Sequence, residues 1–119
     1  MEKNRAISFF HRKPENYNCA QAILLAFQEE FNNIDDEKIH EFKAFGGGRA
    51  PKGYCGALYA ALSLDFPEEV KNEIESKFIQ EARFITCREI KTNKTLSCKK
   101  CVQLAENIVN QALVLHEQE

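Results

Sequence analysis

Along most of the chain, apolar residues recur at three- and four-residue spacing, a period that predicts helices. The clearest case is residues 15–31, ENYNCAQAILLAFQEEF, where Cys19, Ala22, Ile23, Ala26 and Phe27 fall on one face. Asn16 or Asn18 can cap this helix with a side-chain oxygen. Residues 2–13, EKNRAISFFHRK, group Ala6, Phe9 and Phe10 and meet a stop at Pro14. Residues 35–45, DDEKIHEFKAF, open with a cap at Asp35 and place acids where the helix dipole is positive. Ile39, Phe42 and Phe45 form the apolar side of that helix, which ends at Gly46-Gly47-Gly48.

Beyond the glycines, residues 54–64, YCGALYAALSL, are apolar enough for a buried helix, and their alanines favour helix over a strand of equal length. Pro67 suits the first turn of a long helix over 67–87, with Val70, Ile74, Phe78, Ala82 and Ile85 as its stripe. Residues 88–97, REIKTNKTLS, are polar and read as a connector. The last helix, 98–118, follows a cap at Ser97 and aligns Cys98, Cys101, Leu104, Ala105, Ile108, Ala112 and Leu115. The expected fold is therefore all-α: a single bundle of five or six helices over residues 1–119, with a glycine-rich loop before the fourth.

Composition narrows this picture without changing it. A chain of 119 residues can bury roughly two-thirds of its surface. Hydrophobic residues at 44% and charged residues at 29% are within the globular range. A net charge of −2 gives no reason to expect nucleic acid or an anionic membrane as partner. Met1 is followed by polar residues, and no apolar run approaches the roughly 20 residues of a span, so no membrane insertion is expected and the cytoplasm is the default compartment.

The five cysteines do change it. In a reducing compartment, clustered cysteines serve more often as metal ligands or redox thiols than as structural disulfides, and an odd number argues against a fully paired set. Three fall in expected first turns: Cys19 after Asn18, Cys55 after the glycine loop, Cys98 after Ser97. Free N–H groups and the positive dipole end favour thiolate there. All five glycines lie between residues 46 and 56, and glycine-rich turns can aim N–H groups at an anion. Gly47, Gly48, Arg49, Gly53 and Gly56 are thus candidate binding residues around Cys55. Arg49 and Lys52 would add positive charge, making Cys55 the sulfur expected to be most reactive or most strongly liganded.

Simpler accounts compete with these. Any one cysteine is as readily a small buried hydrophobe. That account does not cover Cys98-Lys99-Lys100-Cys101, a CxxC at a helix start, a motif used by redox dithiols and metal sites alike. A lone CxxC is weak evidence for zinc, and His11, His40 and His116 lack ligand spacing. A phosphate-binding loop is excluded in detail. Gly53 is followed by Tyr54 where lysine is needed, Pro51 stands where G-x-G-x-x-G needs glycine, and no strand precedes. The acidic runs are helix starts.

Four segments in order, NCAQAILLAF, FGGGRAPKGYCGAL, CREI and CKKCVQLAENIV, resemble the C_GCAxxG_C_C family of small bacterial redox-active proteins, from Ala6 to about Leu113. The resemblance places the family's first cysteine on Cys19, its CGAxxG motif on Cys55, Gly56 and Ala57, its third cysteine on Cys87 and its fourth on Cys98. Cys101 is an additional thiol, and Ala60 stands where the motif ends in glycine. The resemblance implies a redox role with an unidentified redox partner and names no substrate.

Three function classes stay open. Cys19, Cys55, Cys87, Cys98 and Cys101 can serve thiol–disulfide exchange or electron transfer, given a pair with Cα atoms about 4.4–6.8 Å apart. Cys19, Cys55, Cys87 and Cys98 or Cys101 can hold an iron–sulfur cluster or zinc. Or the chain is a structural helical module, alone or paired as a homodimer, with inert cysteines. One helix separates those of Cys19 and Cys55, so their N-termini are expected at the same end of the bundle.

Overall fold

In the computed structural model, residues 5–11, 16–32, 34–46 and 49–117 are described. Among these are seven α-helices and no strand: α1 (Arg5–Phe9), α2 (Cys19–Ala26), α3 (Asp36–Glu41), α4 (Gly56–Leu62), α5 (Glu68–Ala82), α6 (Cys87–Asn93) and α7 (Cys98–Glu117). Short 3₁₀ turns cover Phe42–Phe45 and Pro51–Gly53. The all-α expectation holds, with seven helices in place of five or six. Pro14, Gly47 and Gly48 lie outside the described residues, and with them part of the expected glycine-rich loop.

The seventh helix comes from the segment read as a connector. The long helix expected over 67–87 ends at Ala82, because Arg83 takes a left-handed conformation (φ 74°) and returns its N–H to Ile79 O at 2.8 Å. The Ala82 carbonyl is taken by the Thr95 hydroxyl at 2.7 Å. A new helix then starts at Thr86, whose side chain accepts from Glu89 N at 3.2 Å and donates to the Glu89 carboxylate at 2.8 Å. Ile90 anchors α6 in the core.

Elsewhere the caps are where the sequence puts them. Asn18 and Gln21 form a capping box at the start of α2, with bonds of 2.8 and 3.1 Å. The Asn18 amide also donates to the Phe42 and Lys43 carbonyls, and buried Gln21 donates to Ile39 O at 3.0 Å. These bonds fix the N-terminus of α2 against the end of α3. Asp35 caps α3 through Lys38 N at 2.8 Å, and Ser97 accepts from Lys100 N at 3.2 Å at the start of α7.

The core is built around α4, which touches α2, α5 and α7. Its buried face is Gly56, Ala57, Ala60 and Ala61 beside Leu58, small enough for neighbouring helices to lie close. Phe27, Phe78, Ile23, Leu24 and Ile74 fill the space around it. At the opposite end of the sequence, the buried carboxylate of Glu106 on α7 caps α1, accepting from Arg5 N at 2.9 Å and Ala6 N at 3.2 Å. Among the described residues, no helix is long and apolar enough to cross a membrane.

Candidate functional site

Four helices begin at a cysteine. Cys19, Cys87 and Cys98 are the first residues of α2, α6 and α7, and Cys55 directly precedes α4. Cys101 lies one turn into α7. All five line one cavity, with Gly56, Ile90, Lys91 and Leu96. Its volume is about 20 Å³, room for one water-sized atom. The gathering expected for Cys19, Cys55 and Cys98 thus takes in every cysteine. None is in a disulfide.

Backbone contacts set this geometry. An antiparallel bridge joins Tyr54 to Thr86, the residues directly before Cys55 and Cys87, and Cys55 N donates to Ile85 O at 2.7 Å. Gly53 makes the turn into this bridge with φ +75°, a left-handed conformation that suits glycine. The Tyr54 hydroxyl donates to Glu75 on α5 at 2.9 Å, and this bond is the first cause of its raised pKa. Gly56 has a different task. A Cβ at that position would sit 2.6 Å from Cys19 Sγ and 3.0 Å from Phe45 O. The missing side chain is what lets the starts of α2 and α4 meet.

At Cys55 the electrostatics favour the thiol over the thiolate. Its thiol shares a hydrogen bond with Cys101, and this bond, then burial, then the charge of an ionised Cys101, push its pKa far above the ordinary 9.0. The amides of Leu58 and Ala57 at the start of α4 pull the other way and lose. The positive charge expected from the loop is also directed elsewhere. Arg49 Nε donates to Gly46 O at 3.0 Å, and Lys52 lines a separate surface depression with Tyr54 and Tyr59. Of the candidate binding residues around Cys55, Gly56 borders the cavity; Arg49 and Gly53 do not, and Gly47 and Gly48 are outside the described residues.

The cation at the site is Lys91, one turn after Cys87 on α6. Burial raises the Cys87 pKa, while Lys91 pulls it down by charge and by a hydrogen bond. Reciprocally, the charges of Cys87 and then Cys98 are the leading causes of the raised Lys91 pKa, with Cys19 contributing less. Lys91 borders the cavity and is exposed, so water screens its charge. Reading 88–97 as a connector concealed it. The available signal was Thr86-x-x-Glu89, a capping box, which puts Cys87 and Lys91 on one helical face. Access is uneven too: Cys98 is half-buried, while Cys19, Cys55, Cys87 and Cys101 are 3–9% exposed.

The metal reading draws on the same geometry. Cys19, Cys55, Cys87 and Cys98 share the cavity, yet among the described residues no three Cys, His, Asp or Glu side chains are arranged to hold a metal ion.

Comparison with known proteins gives one match. A family model described as "putative redox-active protein (C_GCAxxG_C_C)" matches residues 17–112, which include all five cysteines and Lys91. No curated protein and no solved structure matches the chain.

Proposed function

The chain belongs to the C_GCAxxG_C_C family of redox-active proteins, and from that premise we propose that it carries out thiol–disulfide exchange, with Cys55 and Cys101 as the buried pair and Cys98 as the thiol reached from outside. The observation that carries this reading is that Cys55, directly before α4, and Cys101, one turn into α7, line the same small cavity on two helices in contact. Sulfurs held on packed helices at one cavity are placed to close to the roughly 2.05 Å of a disulfide.

The exchange runs in three steps. The Cys98 thiolate attacks one sulfur of a substrate disulfide, that S–S bond breaks, and the departing half takes a proton from water. Cys101, three residues on in the CxxC, loses its proton, attacks Cys98 Sγ and releases the second half as a thiol. Cys55 then gives up its proton, attacks Cys101 Sγ and frees Cys98. The protein has lost two electrons and two protons, and the substrate disulfide has gained both as two thiols.

The surroundings suit these roles. Lys91, bordering the cavity, stabilises negative charge where exchange begins. Burial at Cys55 favours the uncharged end states, thiol or disulfide, over thiolate. To test this, the reduced protein is treated with excess small-molecule disulfide and mapped by mass spectrometry. Two thiols should disappear, with a Cys55–Cys101 cross-link, and the Cys55→Ser variant should stop at Cys98–Cys101. Full retention of all five thiols would overturn the reading.

A further inference from the structure

The segment that leads up to and past Cys98 is basic, and its Lys91 borders the cavity. Residues 88–100 hold Arg88, Lys91, Lys94, Lys99 and Lys100 against one acid, Glu89, a net of +4 in a chain of net −2, which leaves −6 for the remainder. All five cations are exposed. Glu89 is turned to Thr86, whose hydroxyl donates to it at 2.8 Å. Ion pairs among the described residues join Arg5 to Glu29 and Glu30 and leave this segment unneutralised. Helix stability does not account for the arrangement. Lys99 and Lys100 sit in the first turn of α7, where no acid is present and where the helix dipole disfavours cations. A charge that opposes its local rule beside a reactive group points to a role outside folding.

We propose that this segment selects an anionic disulfide, one whose carboxylates flank its S–S bond, for exchange at Cys98. The inference rests on the thiol–disulfide reading above. The cavity admits about one water-sized atom, so discrimination takes place at the rim. At physiological salt, charges act over about 8 Å, so Lys91 at the cavity and Lys99 and Lys100 directly after Cys98 act on it more strongly than any charge beyond that range. Charge of the right sign raises the encounter rate and orients the approaching bond.

The test uses the whole reduced protein and three probes: oxidised glutathione (anionic), 2-hydroxyethyl disulfide (neutral) and cystamine (cationic). Rates of thiol loss are normalised to each probe's rate with dithiothreitol. At about 0.02 M salt, oxidised glutathione should exceed cystamine by about tenfold, and the ratio should shrink to about twofold at about 1 M. K99E with K100E should reverse the order; because acids suit a first turn, this variant should stay folded. A disulfide-linked dimer of an acidic peptide distinguishes the source. A further rate gain over oxidised glutathione identifies an acidic protein segment as the natural substrate, and an equal rate identifies a small anionic thiol. If no probe oxidises the protein, the thiol–disulfide reading itself falls. If all three do so at rates that ignore charge and salt, this inference alone is overturned.

Discussion

The starts of α4 and α7 bring sulfur to the same cavity under opposite conditions. Before α4 and at its first residue stands the most conspicuous stretch of the sequence, with every glycine in the chain, yet Cys55 is 4% exposed and held as a thiol beside Cys101. Before α7 stands a plain polar stretch, yet it frames Cys98 with cations and leaves it half-buried. The difference lies in what each segment spends its backbone on. The glycines at α4 serve close contact: Gly56 admits Cys19, and Gly53 turns the chain into its bridge with Thr86. Charge at the site comes from α6 and α7. A conspicuous loop therefore marks a steric constraint here, and the reactive edge lies where helix starts and lysines coincide.

Alkylation separates the two starts most widely. With iodoacetamide at pH 8, Cys98 should label at least about a hundredfold faster than Cys55, since the thiolate is the nucleophile and Cys55 is both buried and kept protonated. Peptide-resolved mass spectrometry over time measures both. Equal rates would mean that α4 opens readily and that the contrast is not one of environment.

The steric half of the comparison is exposed by Gly56→Ala. The new methyl would meet Cys19 Sγ at 2.6 Å and Phe45 O at 3.0 Å, and overpacking of this kind costs about 2 kcal/mol. Urea unfolding should record that loss. In a Cys19→Ala background roughly half of it should disappear, because the Phe45 carbonyl remains. An unchanged midpoint in the single variant would remove the steric account of the motif's glycine.

What the sequence made legible follows the range of the interactions. Caps within three residues were visible: Asn18 with Gln21, Asp35 with Lys38, Ser97 with Lys100. So was the convergence of the cysteines, because helix starts can be read and alternate helices return to one end. The break between α5 and α6 was not, since the apolar stripe continues through Ile85 and the break depends on Thr95 reaching Ala82 thirteen residues away. Glu106 capping α1 from about a hundred residues away leaves no local trace. At the site, the Cys55–Cys101 contact crosses two helices, and the direction of the Cys55 shift depends on that partner and on burial. Lys91 was lost with α6 itself.

A smaller effect tests the protonation of Cys55 directly. Its pKa is raised in the fold, so the unfolded chain ionises first as pH rises. The stability this thiol contributes is fully present below about pH 9, the ordinary thiol value, and is lost progressively above it. Between pH 9 and 10 the loss attributable to Cys55 should be about 1 kcal/mol. Cys55→Ala should lower stability throughout and flatten this part of the profile, which thermal unfolding at a series of pH values would measure. An equally steep alkaline fall in the variant would assign the effect to other groups.

The smallest effect concerns the charged edge. Burial holds the Cys87 pKa up and Lys91 draws it partly back, so Lys91→Met should move the labelling midpoint of Cys87 to higher pH and slow its alkylation at pH 8 by about two- to threefold. The modest size follows from exposure: water screens the charge of an exposed lysine, and its influence fades as salt rises. Lys91→Arg keeps the charge and should restore most of the rate, whereas a purely packing role would be served equally well by methionine. The Cys55 profile should stay in place in all three proteins, because Cys101 and burial, not Lys91, determine it. A Lys91→Met variant that shifted Cys55 as much as Cys87 would merge the two edges into one uniform thiol cluster; a shift confined to Cys87 keeps them apart.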